Sequence, residues 1–342
     1  MNGLVSVIVL NWNGKECIRN CLSSVRAQTY TPIELIVVDN GSTDGSSEIV
    51  KQEFPEALLI ENKANVGFGA GNNAGIKTAS GSYVVVLNND AEMEPDCLGE
   101  LKKALDRNER YGASAAKILL KKETGLVDAA GLVVCPDGLS IGRGRLEREE
   151  LFGDEVEVFF ASGCCAMFRR VMLDDIAVEG EYYDEDFFAY ADDTDLGWRA
   201  RLRGWKCIYT PSAKAYHLHS AAAGTYSPLK ALLVERNRIW VLVKSFPISL
   251  LPRAQFYTLA RYVFQAYGAI RGDGAAGAFT TQFSKTKLVV TLLHAFWSAF
   301  LGMGKMMKKR RIIQKRRVLQ RGEMRDILRL YGIGPREIGL KG

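Results

Sequence analysis

No C-x-x-C pair occurs among the seven cysteines of this 342-residue chain, and their spacing is irregular. The odd count and the missing pairs argue against a disulfide scaffold or a zinc ribbon, and for reduced thiols in a cytosolic compartment. Internal repeats and low-complexity tracts are also missing, which excludes solenoid and fibrous designs. The N-terminus runs into an apolar stretch at residues 5–10 with no basic n-region or cleavage site, so no signal peptide is expected. Residues 288–304 carry no charge but number only 17, short of the about 20 that a membrane-spanning helix needs. Histidine is scarce: there are three, and two of them are His217 and His219.

What is present is an ordinary globular composition, with 47% hydrophobic and 25% charged residues. The net charge of +6 is unevenly placed. Between residues 305 and 325 there are ten Lys/Arg and one acid, Glu323, so this stretch carries +9 and the remainder −3. With Met306, Met307, Ile312, Ile313, Val318 and Leu319 interleaved, the stretch reads as a basic amphipathic helix for an anionic membrane surface. The lack of aromatic residues between its charges speaks against nucleic acid.

Residues 5–10, 33–38, 58–60 and 83–87 are short runs rich in β-branched residues, alternating with segments of helical period. That alternation predicts a parallel, doubly wound sheet. Each run ends in a polar turn, and the turns fall on one edge, where such sheets place their ligands. Further strands are expected at 113–120, 126–134, 156–160, 164–169, 206–209 and 213–216. A helix with an acidic start is expected within 184–204. From about 227 the chain reads as helical, with a domain boundary near 225: a catalytic domain over 1–225 and a basic, membrane-associating helical region over 226–342.

The chemistry-bearing residues sit at the strand ends. Asp39-Asn-Gly-Ser-Thr-Asp44 offers a carboxylate for a nucleobase or ribose, although the same pattern serves as a plain helix cap. In Asn65-Val-Gly67-Phe-Gly69, continuing to Gly75, the dinucleotide fingerprint fails because Ala74 stands where the last glycine is required, so a nicotinamide site is rejected. The stretch remains a glycine-rich helix start that lets backbone approach a sugar or phosphate, or pack closely on the sheet. Asn88-Asn-Asp90 supplies one anionic and one neutral oxygen suited to Mg²⁺ or Mn²⁺ beside a pyrophosphate. Asp192, Asp193 and Asp195 crowd a helix start, where close carboxylates raise one another's pKa and suit a general base. Alternation puts His217 and His219 on one face or in one turn, and either could hold a metal.

These motifs, in this order, resemble family 2 glycosyltransferases of the GT-A fold, and within them the rhamnosyltransferase-like branch. The resemblance covers about residues 4–245, with Asn237, Lys244 and Pro247 similar to that branch's exit from the catalytic domain. It implies a mixed Rossmann-like sheet with helices on both faces. It also implies inverting transfer of a sugar, rhamnose being one candidate, from a nucleotide diphosphate to a saccharide or lipid-linked acceptor in cell-surface glycan assembly. Carried over by position, Asp39 would hold the nucleobase, with Asn11 beside it. Asn65, Gly67, Gly69 and Asn88 would line the donor site. Asp90 would be the metal ligand of the D-x-D element, and His217 a second ligand. Asp193, with Asp192 as the alternative, would be the base. The first D-x-D position is Asn88 here, so Asp90 is expected to hold metal mainly when nucleotide is present. Such an enzyme is expected at the cytoplasmic face of the membrane, peripherally bound. The rival expectations are a sugar nucleotidyltransferase, which would carry a basic glycine-rich loop after the first strand in place of Asn11-Trp-Asn-Gly14, and a non-enzymatic membrane adaptor of the same fold.

Overall fold

The structure, a computed structural model, describes residues 3–219, 227–272 and 274–341. The chain divides into two compact units that interleave in sequence. The first comprises Met1–Leu132, Gly142–Phe188 and Gly204–Ala222; the second comprises Val133–Ile141, Ala189–Arg203 and Ala223–Gly342. The boundary expected near residue 225 lies outside the described residues. The second unit also takes in two segments far upstream of it.

In the first unit, β1 (Val5–Asn11), α1 (Ile18–Arg26), β2 (Ile33–Asp39), α2 (Ser46–Glu53), β3 (Leu58–Glu61), α3 (Phe68–Thr78) and β4 (Tyr83–Asn88) alternate as predicted. The four strands are parallel in the order β3-β2-β1-β4. The period-two alternation of β1 explains the layers. Val5, Val7 and Val9 join Ile18, Cys21, Leu22 and Val25 of α1 in one buried cluster on one face. Ile8 and Leu10 face α3 on the other, where Gly75 and Gly71 leave only enough room for them: a Cβ on Gly71 would lie 2.4 Å from Leu10 Cδ1. For these two glycines, then, close helix–sheet packing is what the sequence encodes.

β5 (Ala91–Met93), α4 (Cys97–Asp106), β6 (Tyr111–Leu120) and β7 (Val127–Ala129) follow. β8 (Leu132–Val134) and β9 (Ser140–Gly142) form a separate two-stranded sheet. The single strand expected over 126–134 is broken at Gly131, whose φ of +84° interrupts the extended backbone. Then come β10 (Val156–Val158), β11 (Cys165–Arg169), α5 (Arg170–Ile176), α6 (Asp192–Leu202) and β12 (Lys206–His217). β11 lies antiparallel between β4 and β6, so the sheet is mixed. The two strands expected at 206–209 and 213–216 are one strand, β12, with a register shift between Thr210 and Lys214.

In the second unit, α7 (Pro228–Ser245), α8 (Leu251–Arg271), α9 (Gly274–Gln282), α10 (Lys285–Leu301), α11 (Met303–Lys315), α12 (Arg321–Leu330) and α13 (Pro335–Lys341) realise the helical C-terminal region. Its interior holds a closed ionic cluster. Arg261 donates to Asp137 at 2.6 Å and to both oxygens of Glu235, at 2.7 and 3.1 Å. Arg238 and the Tyr262 hydroxyl also donate to Glu235. Among the described residues no single helix is long and apolar enough to cross a membrane; α10 and α11 pass that test only together, and they are bent by 58°.

Candidate active site

The ends of β1 and β2 lie side by side in register, Asn11 against Asp39. The Asn11 amide donates to Asp39 Oδ1 at 2.8 Å, to Ser46 Oγ at 2.8 Å and to Ser42 Oγ at 3.2 Å. Its carbonyl oxygen accepts from Asn89 Nδ2 at 2.9 Å. Asn11 is therefore a brace that ties the tips of β1, β2 and β4 together. Asp39, almost fully buried, also accepts from the Ser42 backbone N–H through Oδ2. This leaves each of its oxygens a further lone pair. Asp44 closes the same turn by accepting from Ser46 and from the Lys15 N–H.

The next loop is tied by Asn40, a residue the motif reading passed over. Its amide nitrogen reaches Asn65 Oδ1 at 2.9 Å and the Gly67 carbonyl at 3.2 Å; its oxygen accepts from Asn62 and from the Val66 N–H. Gly67 caps α3 at φ +92°, and a side chain there would collide with the Phe188 carbonyl 2.3 Å away. Gly69 is buried in the first turn of α3.

At the tip of β4, the Asn88 N–H bonds the Cys164 carbonyl, and Asn89 turns back to Asn11. Asp90 precedes β5, which pairs with β12 so that Ala91 faces His217. This register brings Asp90 Oδ1 to 3.3 Å from His217 Nε2. The other imidazole nitrogen, Nδ1, lies 2.8 Å from Asp128 Oδ2, on β7. His219 Nε2 lies 2.9 Å from Asp128 Oδ1, and Arg145 also pairs with Asp128. Burial alone would raise the Asp128 pKa, yet the hydrogen bonds from His217 and His219 hold it far below the carboxylate range. Burial likewise opposes charge on His217, but the neighbouring Cys164, Asp128 and Asp90 outweigh it and raise its pKa. The ligand atoms of Asp128, His217 and His219 lie within 4.8 Å of one another, so this donor set can hold a metal ion. Of the predicted site residues in this unit, Asp90 and His217 are thus brought together, and so are Asn11 and Asp39. Asp128 was missed: a lone aspartate in Val127-Asp-Ala129 carries no local signal.

The acidic helix start belongs to the second unit. Phe188, Tyr190 and Ala191 all have positive φ, 65°, 69° and 61°, a strained run for residues with side chains. The Asn237 amide, from α7, donates to the Ala189 and Tyr190 carbonyls, 2.8 Å each, and clamps the turn. The three acids that follow divide. Asp195 is buried between Arg199 at 2.8 Å and Lys244 at 2.6 Å. Asp192 is also buried, and Asp193 is the most accessible of the three.

Residues 6–177, half of the chain, match the sequence model "Glycosyl transferase family 2". The chain belongs to that family. One relative of this glycosyltransferase is N-acetylglucosaminyl-diphospho-decaprenol L-rhamnosyltransferase of Mycobacterium tuberculosis, 25% identical over 71% of this chain and 85% of that one. Another is poly-beta-1,6-N-acetyl-D-glucosamine synthase of Staphylococcus aureus, 23% identical over 63% of this chain and half of the relative. Among solved structures, residues 1–349 of S. aureus TarS superpose with a TM-score of 0.55 at 17% identity, covering 96% of this chain and 90% of that one. The mannosyltransferase PcManGT of Pyrobaculum calidifontis, solved with GDP-Man and Mn²⁺, gives 0.52 at 18% identity, covering 87% and 86%. These likenesses establish the GT-A-type fold. The family sets aside the nucleotidyltransferase alternative.

Proposed function

We propose that this glycosyltransferase inverts the anomeric centre as it moves a sugar, rhamnose being the first to test, from a nucleoside diphosphate to a hydroxyl of a lipid-linked saccharide. The observation that carries the reading is the approach of Asp90 Oδ1 to His217 Nε2, in the same unit as the Asn11–Asp39 brace. Two ligands in adjacent positions around a six-coordinate ion at about 2.1 Å lie about 3 Å apart, close to the 3.3 Å separation. Asp128 then has the role of the carboxylate that a metal-bound imidazole addresses with its other nitrogen. Two histidines and Arg145 already contact it, which suits it to orienting His217. An imidazole–carboxylate pair suits Mn²⁺ better than Mg²⁺. A divalent cation held there would neutralise the developing charge on the diphosphate leaving group.

The chain's own groups do the remaining work. Asp39 accepts from the nucleobase, and Asn11 holds Asp39 in place. Asn65, Gly67, Gly69 and Asn88 bring polar and backbone groups to the sugar diphosphate. Asp193 takes the proton of the acceptor hydroxyl, and Asp192, being buried, is the less suited of the pair. The lipid-linked acceptor is supported by the Mycobacterium relative, whose name places its substrate on a decaprenol diphosphate. Residues 226–342 hold the catalytic domain at the cytoplasmic face of an anionic membrane.

The test is release of nucleoside diphosphate from a panel of nucleotide sugars, with Mn²⁺ or Mg²⁺ and a prenyl-linked saccharide. Transfer requires the metal. Asp193→Asn, folded as judged by circular dichroism, loses at least about a hundredfold in kcat. Turnover of Asp90→Ala equal to the parent at every metal concentration removes the ligand assignment; near-parental Asp193→Asn removes the base.

A further inference from the structure

Two helices of the C-terminal unit carry apolar stripes that nothing in the described residues covers. On α8, Phe256, Leu259, Val263, Tyr267 and Ile270 follow one another at helical spacing, and both ends of the series, Phe256 and Ile270, are 74% exposed. On α10, Val289, Leu293, Phe296, Trp297 and Phe300 do the same, with Trp297 61% exposed. The opposite faces are the packed ones. Ala254, Thr258, Arg261 and Gly268 are buried on α8, and Thr291, Ala295 and Ala299 on α10. One contact links the two helices: Phe296 meets Tyr262 edge-on, with ring centroids 6.5 Å apart. Monomeric soluble proteins rarely expose apolar faces of this kind.

The charge pattern names the occupant. Between residues 251 and 322 the sequence holds fourteen Lys/Arg and one acid, Asp273. Lys305, Lys308, Arg311 and Lys315 are exposed on α11, spaced three, three and four apart, directly after the α10 stripe. A second copy of the chain, docked by a two-fold axis, would set these cations against their own kind. An anionic lipid surface satisfies both features at once: hydrocarbon for the stripes and phosphate for the cations. At about 1.5 Å per residue, the 17 residues of α10 span about 25 Å, short of the bilayer core, so the helix lies in the interface.

We propose that the stripes of α8 and α10 insert into the boundary between headgroups and acyl chains of an anionic bilayer, with the α11 cations on lipid phosphates. This deepens the membrane association proposed above by naming the inserted face; it does not depend on the sugar-transfer roles, and vesicle binding is measured without turnover. The full chain is mixed with phosphatidylcholine vesicles with and without phosphatidylglycerol, and bound protein is separated by flotation. Binding is expected only with phosphatidylglycerol. Lipids brominated on the acyl chain are expected to quench a component of the tryptophan emission that is missing in Trp297→Phe, which still binds. Val263→Glu, an exposed position, is expected to leave the melting temperature unchanged and weaken binding at least about tenfold. Three results overturn the proposal. They are no binding to either vesicle, binding that is insensitive to Val263→Glu with Trp297 unquenched (α11 cations alone), and a concentration-dependent dimer that Val263→Glu abolishes (a second copy on the face).

Discussion

Asp128 and Glu235 are both buried carboxylates held by cationic neighbours, yet their clusters are built differently. Around Glu235 every strong donor finds an acceptor inside the unit: Arg261 spans Glu235, Asp137 and Gln265, while Arg238 reaches Glu235, the Asp137 carbonyl and Thr258. Around Asp128 the contacts run from strand to strand of the sheet. They run from Arg145 and His219 through Asp128 to His217 Nδ1, and then through Nε2 toward Asp90. The first cluster joins helices. The second joins the strands that carry Asp128 and His217 and reaches Asp90. Burial and charge alone do not distinguish the two clusters; the residue types do, guanidinium groups in one and imidazoles in the other.

The largest test of that contrast is Arg261→Ala. It leaves Glu235 and Asp137 buried without their main cation, and breaking a buried pair in this way costs about 3–5 kcal/mol. Urea denaturation followed by tryptophan emission should show it as a lower midpoint. The counterpart is Asp128→Asn. If Asp128 orients His217, Mn²⁺ affinity in calorimetric titration of the nucleotide-loaded protein should fall about 10- to 100-fold, with a far smaller shift in the urea midpoint than Arg261→Ala gives. Equal losses of stability in the two variants would erase the distinction between the clusters. The smallest effect at neutral pH is the titration of Glu235. Burial would raise its pKa, but Arg238 and Arg261 lower it from 4.5 to about 2. A carboxylate whose pKa is depressed in the folded state contributes stability that is complete above its unfolded value and is lost as pH falls. The urea midpoint should therefore be flat above about pH 4.5 and decline toward pH 2, and Glu235→Gln should lessen the decline within that window.

The same contrast explains what the sequence let one read. β1, β2 and β4 were legible because each is an unbroken apolar run with a polar tip, and their observed ends differ from the expected ones by one residue, Asn11, Asp39 and Asn88. Asp90 and His217 were legible through the family resemblance, and the pairing of β5 with β12 brings them together. Asp128 and Asn40 were not, since a single polar residue acquires its meaning only from strands distant in sequence. The ionic cluster was hidden for the same reason: Asp137, Glu235 and Arg261 lie on three separate segments. The apolar stripe of α8 was present as a helical period, but helical period alone does not tell a packed face from an exposed one.

The register shift in β12 carries a consequence for how this site can vary. Thr210 opposes Ala116 and Lys214 opposes Lys117, so residues 211–213 are extra on that strand. Side chains alternate faces along a regular strand; the insertion breaks that alternation, and beyond it the pairing of Lys214 with Lys117 and of His217 with Leu120 sets which way the side chains point. A one-residue slip of the strand beyond the bend would turn His217 away from both Asp90 and Asp128 without altering either residue. In a lineage of such enzymes, length variation at this bend that shifted the register would separate His217 from Asp90, while the same change in the loop before α6 would leave the register of β12 untouched.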